Sequence, residues 1–111
     1  MKHLNLGISE HINELVKRIN IATPVASIIL FGSQVNGIPN KDSDIDICVI
    51  THEHEKRKLQ IMREIRKAIA PILSLPVDIL VYRENEFMER AILPTTLEFK
   101  IEQEGIKVYG Q

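Results

Sequence analysis

The chain has 111 residues, of which 44% are hydrophobic and 26% charged, and its formal net charge is -1. This length and composition are typical of a single globular domain, here residues 1–111, and they exclude an intrinsically disordered chain. The near-neutral charge provides no field for non-specific capture of nucleic acid or of an anionic membrane, so we expect direct contact with neither.

The only cysteine is Cys48, so no intrachain disulfide can form. The longest apolar stretch, around residues 25–31, is far shorter than the ~20 residues of a membrane-spanning helix. Residues 1–15 lack the apolar run of a signal peptide. We therefore expect a soluble, cytoplasmic protein in which Cys48 is an inert thiol of the core.

The first half of the chain predicts a helix, a buried strand, a loop and a second strand. Apolar residues recur at helical spacing through residues 9–22, and Ser9 is the expected N-cap. Residues 25–31 are apolar and rich in β-branched side chains, which is typical of a buried strand. Residues 32–43 contain the Gly, Pro, Asn and Asp of a loop, and a second buried strand is predicted over 44–51.

The longest predicted helix covers residues 55–73. Its apolar face is formed by Leu59, Met62, Ile65, Ile69 and Ile72. The basic residues of this segment alternate with glutamates, so we interpret them as a solvated helix face rather than an RNA-binding surface. His52 and His54, just before the helix, have no further ligand at metal-binding spacing, so we assign them no metal.

A third strand is predicted over residues 76–82, followed by a short helix near 86–93 and another helix over 95–104. Thr95 and Glu98 have the spacing of a capping box at the start of this last helix. Residues 106–109 are predicted to form a short edge strand. The order of elements predicts an α+β (mixed α/β) fold, in which helices pack on a short mixed sheet.

Three aspartates occupy positions in predicted buried strands, where acidic residues are disfavoured. Asp44 and Asp46 begin an otherwise apolar strand, and alternation places them on one face, about 6–7 Å apart. Asp78 interrupts the apolar run of the next strand. Buried carboxylates without partners cost several kcal/mol, so three of them at one sheet predict a compensating cation. Mg²⁺ is such a cation, since it takes carboxylates and substrate phosphates as ligands.

Each acid also has a plainer explanation. Asp44 could make only a local turn with Ser43. Asp46 and Asp78 could belong to buried ion pairs with Lys or Arg.

Two small residues, Gly32 and Ser33, follow the first predicted strand and begin the loop. A glycine permits unusual dihedrals and the close approach of a ligand. The serine hydroxyl and the adjacent backbone N–H groups can hold phosphate oxygens.

Together, Gly32 and Ser33, ten intervening residues, and Asp44-Ile45-Asp46 form the pattern G-S-x10-D-x-D. This pattern resembles the minimal nucleotidyltransferase (MNT) family, within the DNA polymerase beta-like nucleotidyltransferase superfamily. Gly37, Asp78 and the closing segment 101–109 are similar to that family as well, so that the resemblance spans residues 25–109.

The resemblance implies a small nucleotidyltransferase fold and transfer of a nucleoside monophosphate from a triphosphate, namely AMP from ATP. By this resemblance, Asp44 and Asp46 would bind two Mg²⁺ ions that carry the triphosphate. Asp78 would complete one metal site and help to deprotonate the acceptor hydroxyl. Gly32 and Ser33 would hold the outgoing phosphates.

The resemblance also implies a partner, a HEPN-domain protein that is the toxin of a toxin–antitoxin pair. This chain would be the antitoxin and would transfer AMP to a hydroxyl of that protein. Gln34 and Asn36 depart from the family, whose members often carry basic residues there. The alternative is therefore a catalytically weak or inactive MNT-fold module that neutralises its partner by forming a complex. A weaker alternative is transfer to RNA or to a small molecule, with another subunit providing contacts to that acceptor. Self-association is also expected for so small a domain.

Overall fold

The computed structural model describes residues 11–32, 45–73 and 77–110. Its helices and strands follow the order predicted for these parts of the chain. They are α1 (Ile12–Ala22), β1 (Val25–Phe31), β2 (Ile45–Thr51), α2 (Lys58–Ile69), β3 (Val77–Arg83), α3 (Glu84–Ala91), α4 (Leu97–Glu104) and β4 (Ile106–Tyr109). None of the helices in these ranges combines the length and the apolar character needed to cross a membrane.

The strands form one mixed sheet in the order β3-β2-β1-β4. β1 is antiparallel to both β2 and β4, whereas β2 and β3 are parallel. The parallel pair needs a crossover connection, and α2 lies in it. This topology confirms the predicted mixed fold, and β4 lies at an edge of the sheet, as predicted.

Helices pack on both faces of the sheet. One core cluster joins α1 and α2 to alternate strand residues, including Ile28, Leu30, Ile45, Ile47 and Val49. The other cluster joins α3 and α4 to the strand residues that point to the opposite face, including Ile29, Cys48 and Ile50. Because the two central strands are covered on both faces, their sequences are nearly continuous apolar runs.

The bounds and the apolar face of α2 differ from the prediction. The α-helix ends at Ile69 and continues as a 3-10 turn over Ala70–Ile72, since Pro71 lacks the N–H of a continuing helix. Its buried residues are Ile61, Ile65 and Ile69. Leu59 is 52% exposed, so its predicted place on the apolar face was wrong. It lies two residues before Ile61, which places it about 200° round the helix from the buried stripe.

The start of α4 also corrects the prediction. The N-cap is Thr96 rather than Thr95, and its Oγ1 accepts a hydrogen bond of 3.0 Å from the backbone N–H of Phe99. Glu98 does not complete a capping box. Its carboxylate is buried and accepts a hydrogen bond from Nε of Arg90, at the end of α3. The residue predicted to cap α4 therefore joins α3 to α4.

Candidate active site

Two of the predicted site carboxylates meet at the end of the sheet where β1 ends and β2 and β3 begin. The strand register pairs Asp46 on β2 with Phe31 on β1 and with Asp78 on β3. Neighbouring strands lie about 4.8 Å apart, and paired residues point to the same face. Asp46 and Asp78 are therefore direct neighbours on the face that also carries α3 and α4.

The two carboxylates differ in exposure, because Asp46 is half-buried and Asp78 is exposed. The prediction that Asp78 is a buried carboxylate was wrong. β3 is an edge strand, and the cluster under α3 and α4 includes Leu80, the next residue of β3 on this face, but not Asp78. Two carboxylates side by side still offer oxygen ligands of the kind that a divalent cation takes.

Gly32 lies directly against the carboxylate of Asp46. Its φ angle is +90°, which side chains other than glycine rarely adopt. A Cβ atom at position 32 would overlap Oδ2 of Asp46. Residue 32 must therefore be glycine for two separate reasons, and the second ties the end of β1 to the acid on β2.

The remaining predicted site residues, Ser33 and Asp44, lie outside the described residues, as do Gln34 and Asn36. In the ranges that the structure describes, no three His, Cys, Asp or Glu side chains come together as a metal site. Asp46 and Asp78 form a pair of carboxylates there, and Asp44 immediately precedes β2 in the sequence. Carboxylate oxygens are the hard ligands that Mg²⁺ takes, so the chemistry of the two described donors fits this ion.

Cys48 follows Asp46 on the same face of β2, where it is fully buried. Burial raises the pKa of its thiol to about 12, and the carboxylates of Glu98 and Glu102 contribute to the rise. The thiol is therefore protonated at neutral pH and is no nucleophile. This confirms the prediction of an inert core thiol.

The sequence did not predict that the buried carboxylate of Glu98 forms an ion pair with Arg90. The side chain of Glu98 is only 5% exposed and pairs with Arg90. Near it, burial, together with the charge of Glu98, raises the pKa of Tyr82 to about 12. The sequence carried no signal for the pair, because its members lie in different helices and Glu98 fits a local capping pattern equally well.

A histidine–carboxylate contact and a surface ion pair lie near the opposite end of β2 and β3. Nδ1 of His52 lies 2.7 Å from Oε1 of Glu84, and Nζ of Lys58 lies 2.7 Å from Oε2 of Glu86. The hydrogen bond from Lys58 lowers the pKa of Glu86. These contacts support the interpretation of the basic residues as a solvated face.

The comparisons with known proteins agree with this geometry. The family model of the nucleotidyltransferase domain matches residues 8–108. A chain in the crystal structure of the toxin–antitoxin MntA-HepT is similar, with a TM-score of 0.55 and 18% identity, covering 93% of this chain and 73% of that one. A chain in a crystal structure of a toxin–antitoxin with AMP-PNP has a TM-score of 0.59 and 20% identity, covering 90% and 73% respectively. No curated protein matches the chain.

Proposed function

This chain belongs to the nucleotidyltransferase domain family, and we propose that it transfers AMP from ATP to a hydroxyl of a partner protein. In this proposal the reaction depends on Mg²⁺, and the partner is the HEPN-domain toxin of a toxin–antitoxin pair in which this chain is the antitoxin. The observation that carries the proposal is the pairing of Asp46 with Asp78 beside Gly32.

The carboxylates of Asp46 and Asp78, with Asp44, would hold the metal ions. Bound Mg²⁺ ions would neutralise the triphosphate and stabilise the charge on the attacking and leaving oxygens. Asp78 is exposed and so open to an acceptor, whose hydroxyl proton its carboxylate would accept. The acceptor oxygen then bonds to the α-phosphorus, the bond from that phosphorus to the β-phosphate oxygen breaks, and pyrophosphate leaves.

The similar solved structures support the choice of nucleotide and of partner. One is a toxin–antitoxin complex named MntA-HepT, and another is a toxin–antitoxin crystallised with AMP-PNP, an adenine nucleotide. Both share the fold of this chain at 18% and 20% identity. They favour an adenine nucleotide and a toxin as the substrates of the site.

Transfer of a radioactive label tests the proposal. The chain is incubated with its HEPN-domain partner, Mg²⁺ and ATP labelled at either the α- or the γ-phosphate. We expect the partner to acquire the α-label and not the γ-label, and Asp46→Asn to lower the rate at least about 100-fold. Glu89→Gln, which removes an exposed carboxylate from α3, is the matched control. Transfer of the α-label at an unchanged rate by Asp46→Asn would contradict the proposal.

The second candidate function is neutralisation by binding alone. Its support is the pair of uncharged residues, Gln34 and Asn36, in the loop after Gly32. A binding-only antitoxin leaves the partner unlabelled, and its Asp46→Asn variant protects cells from the toxin as well as the unmodified chain does. Loss of protection in the same variant would instead favour the enzyme.

A further inference from the structure

Four large apolar side chains are exposed together where α3 meets α4. We call them the α3–α4 patch: Met88, Ile92, Leu93 and Leu97, with exposed fractions of 64%, 75%, 51% and 49%. They lie within ten residues of sequence, and Met88 and Ile92 are four residues apart, at the spacing of neighbours on one side of a helix. Single exposed apolar residues are ordinary, whereas four of them within one short segment are a candidate interaction surface.

A cavity of about 230 Å³ adjoins the patch at Met88. Ile50 and Phe87 contribute apolar atoms to its lining, and Glu84 and Glu102 contribute carboxylates. Lys107 also lines it, so acids outnumber the single cation. An apolar wall with carboxylates suits the side chain of a lysine or arginine, whose stem is apolar and whose end is cationic.

The two helical layers carry opposite charge. α3 and α4 contain six glutamates against one arginine and one lysine, a net charge of -4. α1 and α2 contain six basic and two acidic residues, a net charge of +4. Two copies of the patch facing each other would bring acid against acid, which disfavours a symmetric dimer through this surface. A cationic partner is favoured instead.

We propose that the α3–α4 patch and the cavity beside Met88 dock a protein partner whose contact surface is apolar at its centre and basic around it. A lysine or arginine of the partner enters the cavity, with its charged end near Glu102. The identity of that partner as the HEPN-domain protein rests on the proposed function, and this protein is the probe in the experiment.

Calorimetric titration of the full chain with the purified HEPN-domain protein tests the docking surface. Ile92→Ser should weaken binding about 10- to 100-fold, the effect of losing one buried aliphatic side chain. Ile21→Ser is the matched control, because Ile21 is 77% exposed and lies on α1, on the other side of the sheet. Equal affinities for the two variants would overturn the docking surface.

The cavity has its own matched pair of variants on one helix. Glu102→Gln removes a carboxylate that lines the cavity, whereas Glu104→Gln removes the same charge two residues later on α4. We expect at least about a fivefold loss of affinity for the first and less than twofold for the second. Equal effects would overturn the entry of a cationic side chain.

The outcomes separate this inference from the proposed function. Absence of binding by the unmodified chain would contradict the partner named in both proposals. Binding that is insensitive to Ile92→Ser, together with AMP transfer, would overturn the docking surface alone. Sedimentation of the chain by itself as a dimer that Ile92→Ser dissociates would assign the patch to a second copy and overturn the heterologous partner.

Discussion

Gly32 is the residue on which the geometry of the site depends most directly. Its φ of +90° would strain any side chain at this position, and a Cβ there would displace the carboxylate of Asp46. The G-S-x10-D-x-D pattern predicted from the sequence that the glycine and the acids belong together. The pattern could not predict that Asp78 is exposed, because this exposure depends on β3 being an edge strand of the sheet.

Replacement of this glycine is predicted to damage the site more than the fold. Gly32→Ala costs at least about 1 kcal/mol of unfolding free energy, because alanine is strained at this φ, and it displaces the Asp46 carboxylate. The rate of AMP transfer should fall more than tenfold. Urea unfolding and the α-label assay measure the two effects.

Gly110→Ala is the matched control. Gly110 also has a positive φ, +93°, and a Cβ there would overlap the backbone oxygen of Ala26, away from the carboxylates. We expect a similar loss of stability with AMP transfer unchanged in the folded protein. If the two variants lost activity equally, the contact of Gly32 with Asp46 would not be what transfer requires.

At the scale of the elements, hydrophobic pattern predicted the strands better than the helix ends. The bounds of β1 and β4 follow from short apolar runs, and the structure reproduces them at Val25–Phe31 and Ile106–Tyr109. The start of α4 did not follow, because the capping-box spacing with Glu98 favoured Thr95 over the observed N-cap, Thr96. The choice depends on Arg90, a residue of α3 whose carbonyl and side chain bind Thr96 and Glu98.

Removal of the Arg90 side chain is predicted to destabilise the packing of α3 against α4. In Arg90→Met the buried carboxylate of Glu98 lacks its cation, and a buried charge without a partner is strongly destabilising. The urea midpoint of the variant should therefore fall below that of the unmodified protein.

Two further variants complete this test. Arg63→Met makes the same substitution on an exposed position of α2, in the opposite helical layer, and should leave the urea midpoint nearly unchanged. Glu98→Leu added to Arg90→Met removes the unpaired charge and should recover stability. If Glu98→Leu did not reduce the loss caused by Arg90→Met, packing of the arginine stem rather than the ion pair would be what joins the helices.

At the scale of the whole molecule, the charges are distributed unevenly although the net charge is close to zero. The net charge of -1 combines a basic layer, α1 and α2, with an acidic layer, α3 and α4. The basic and the acidic helices are separated because they pack on opposite faces of the sheet, an arrangement that composition alone does not contain. The proposed substrate site, at Asp46 and Asp78, and the α3–α4 patch would then be two separate surfaces of the molecule.

Asp46 and Asp78 are proposed to bind a metal–nucleotide complex, and a titration of the isolated chain with ATP measures this binding directly. Calorimetric titration with ATP in Mg²⁺ should give saturable binding that weakens at least about tenfold in EDTA, since the carboxylates would then repel the triphosphate. Asp78→Asn should lower the affinity in Mg²⁺, and Glu89→Gln should not. ATP affinity unchanged both by EDTA and by Asp78→Asn would contradict binding of a metal–nucleotide complex by these carboxylates.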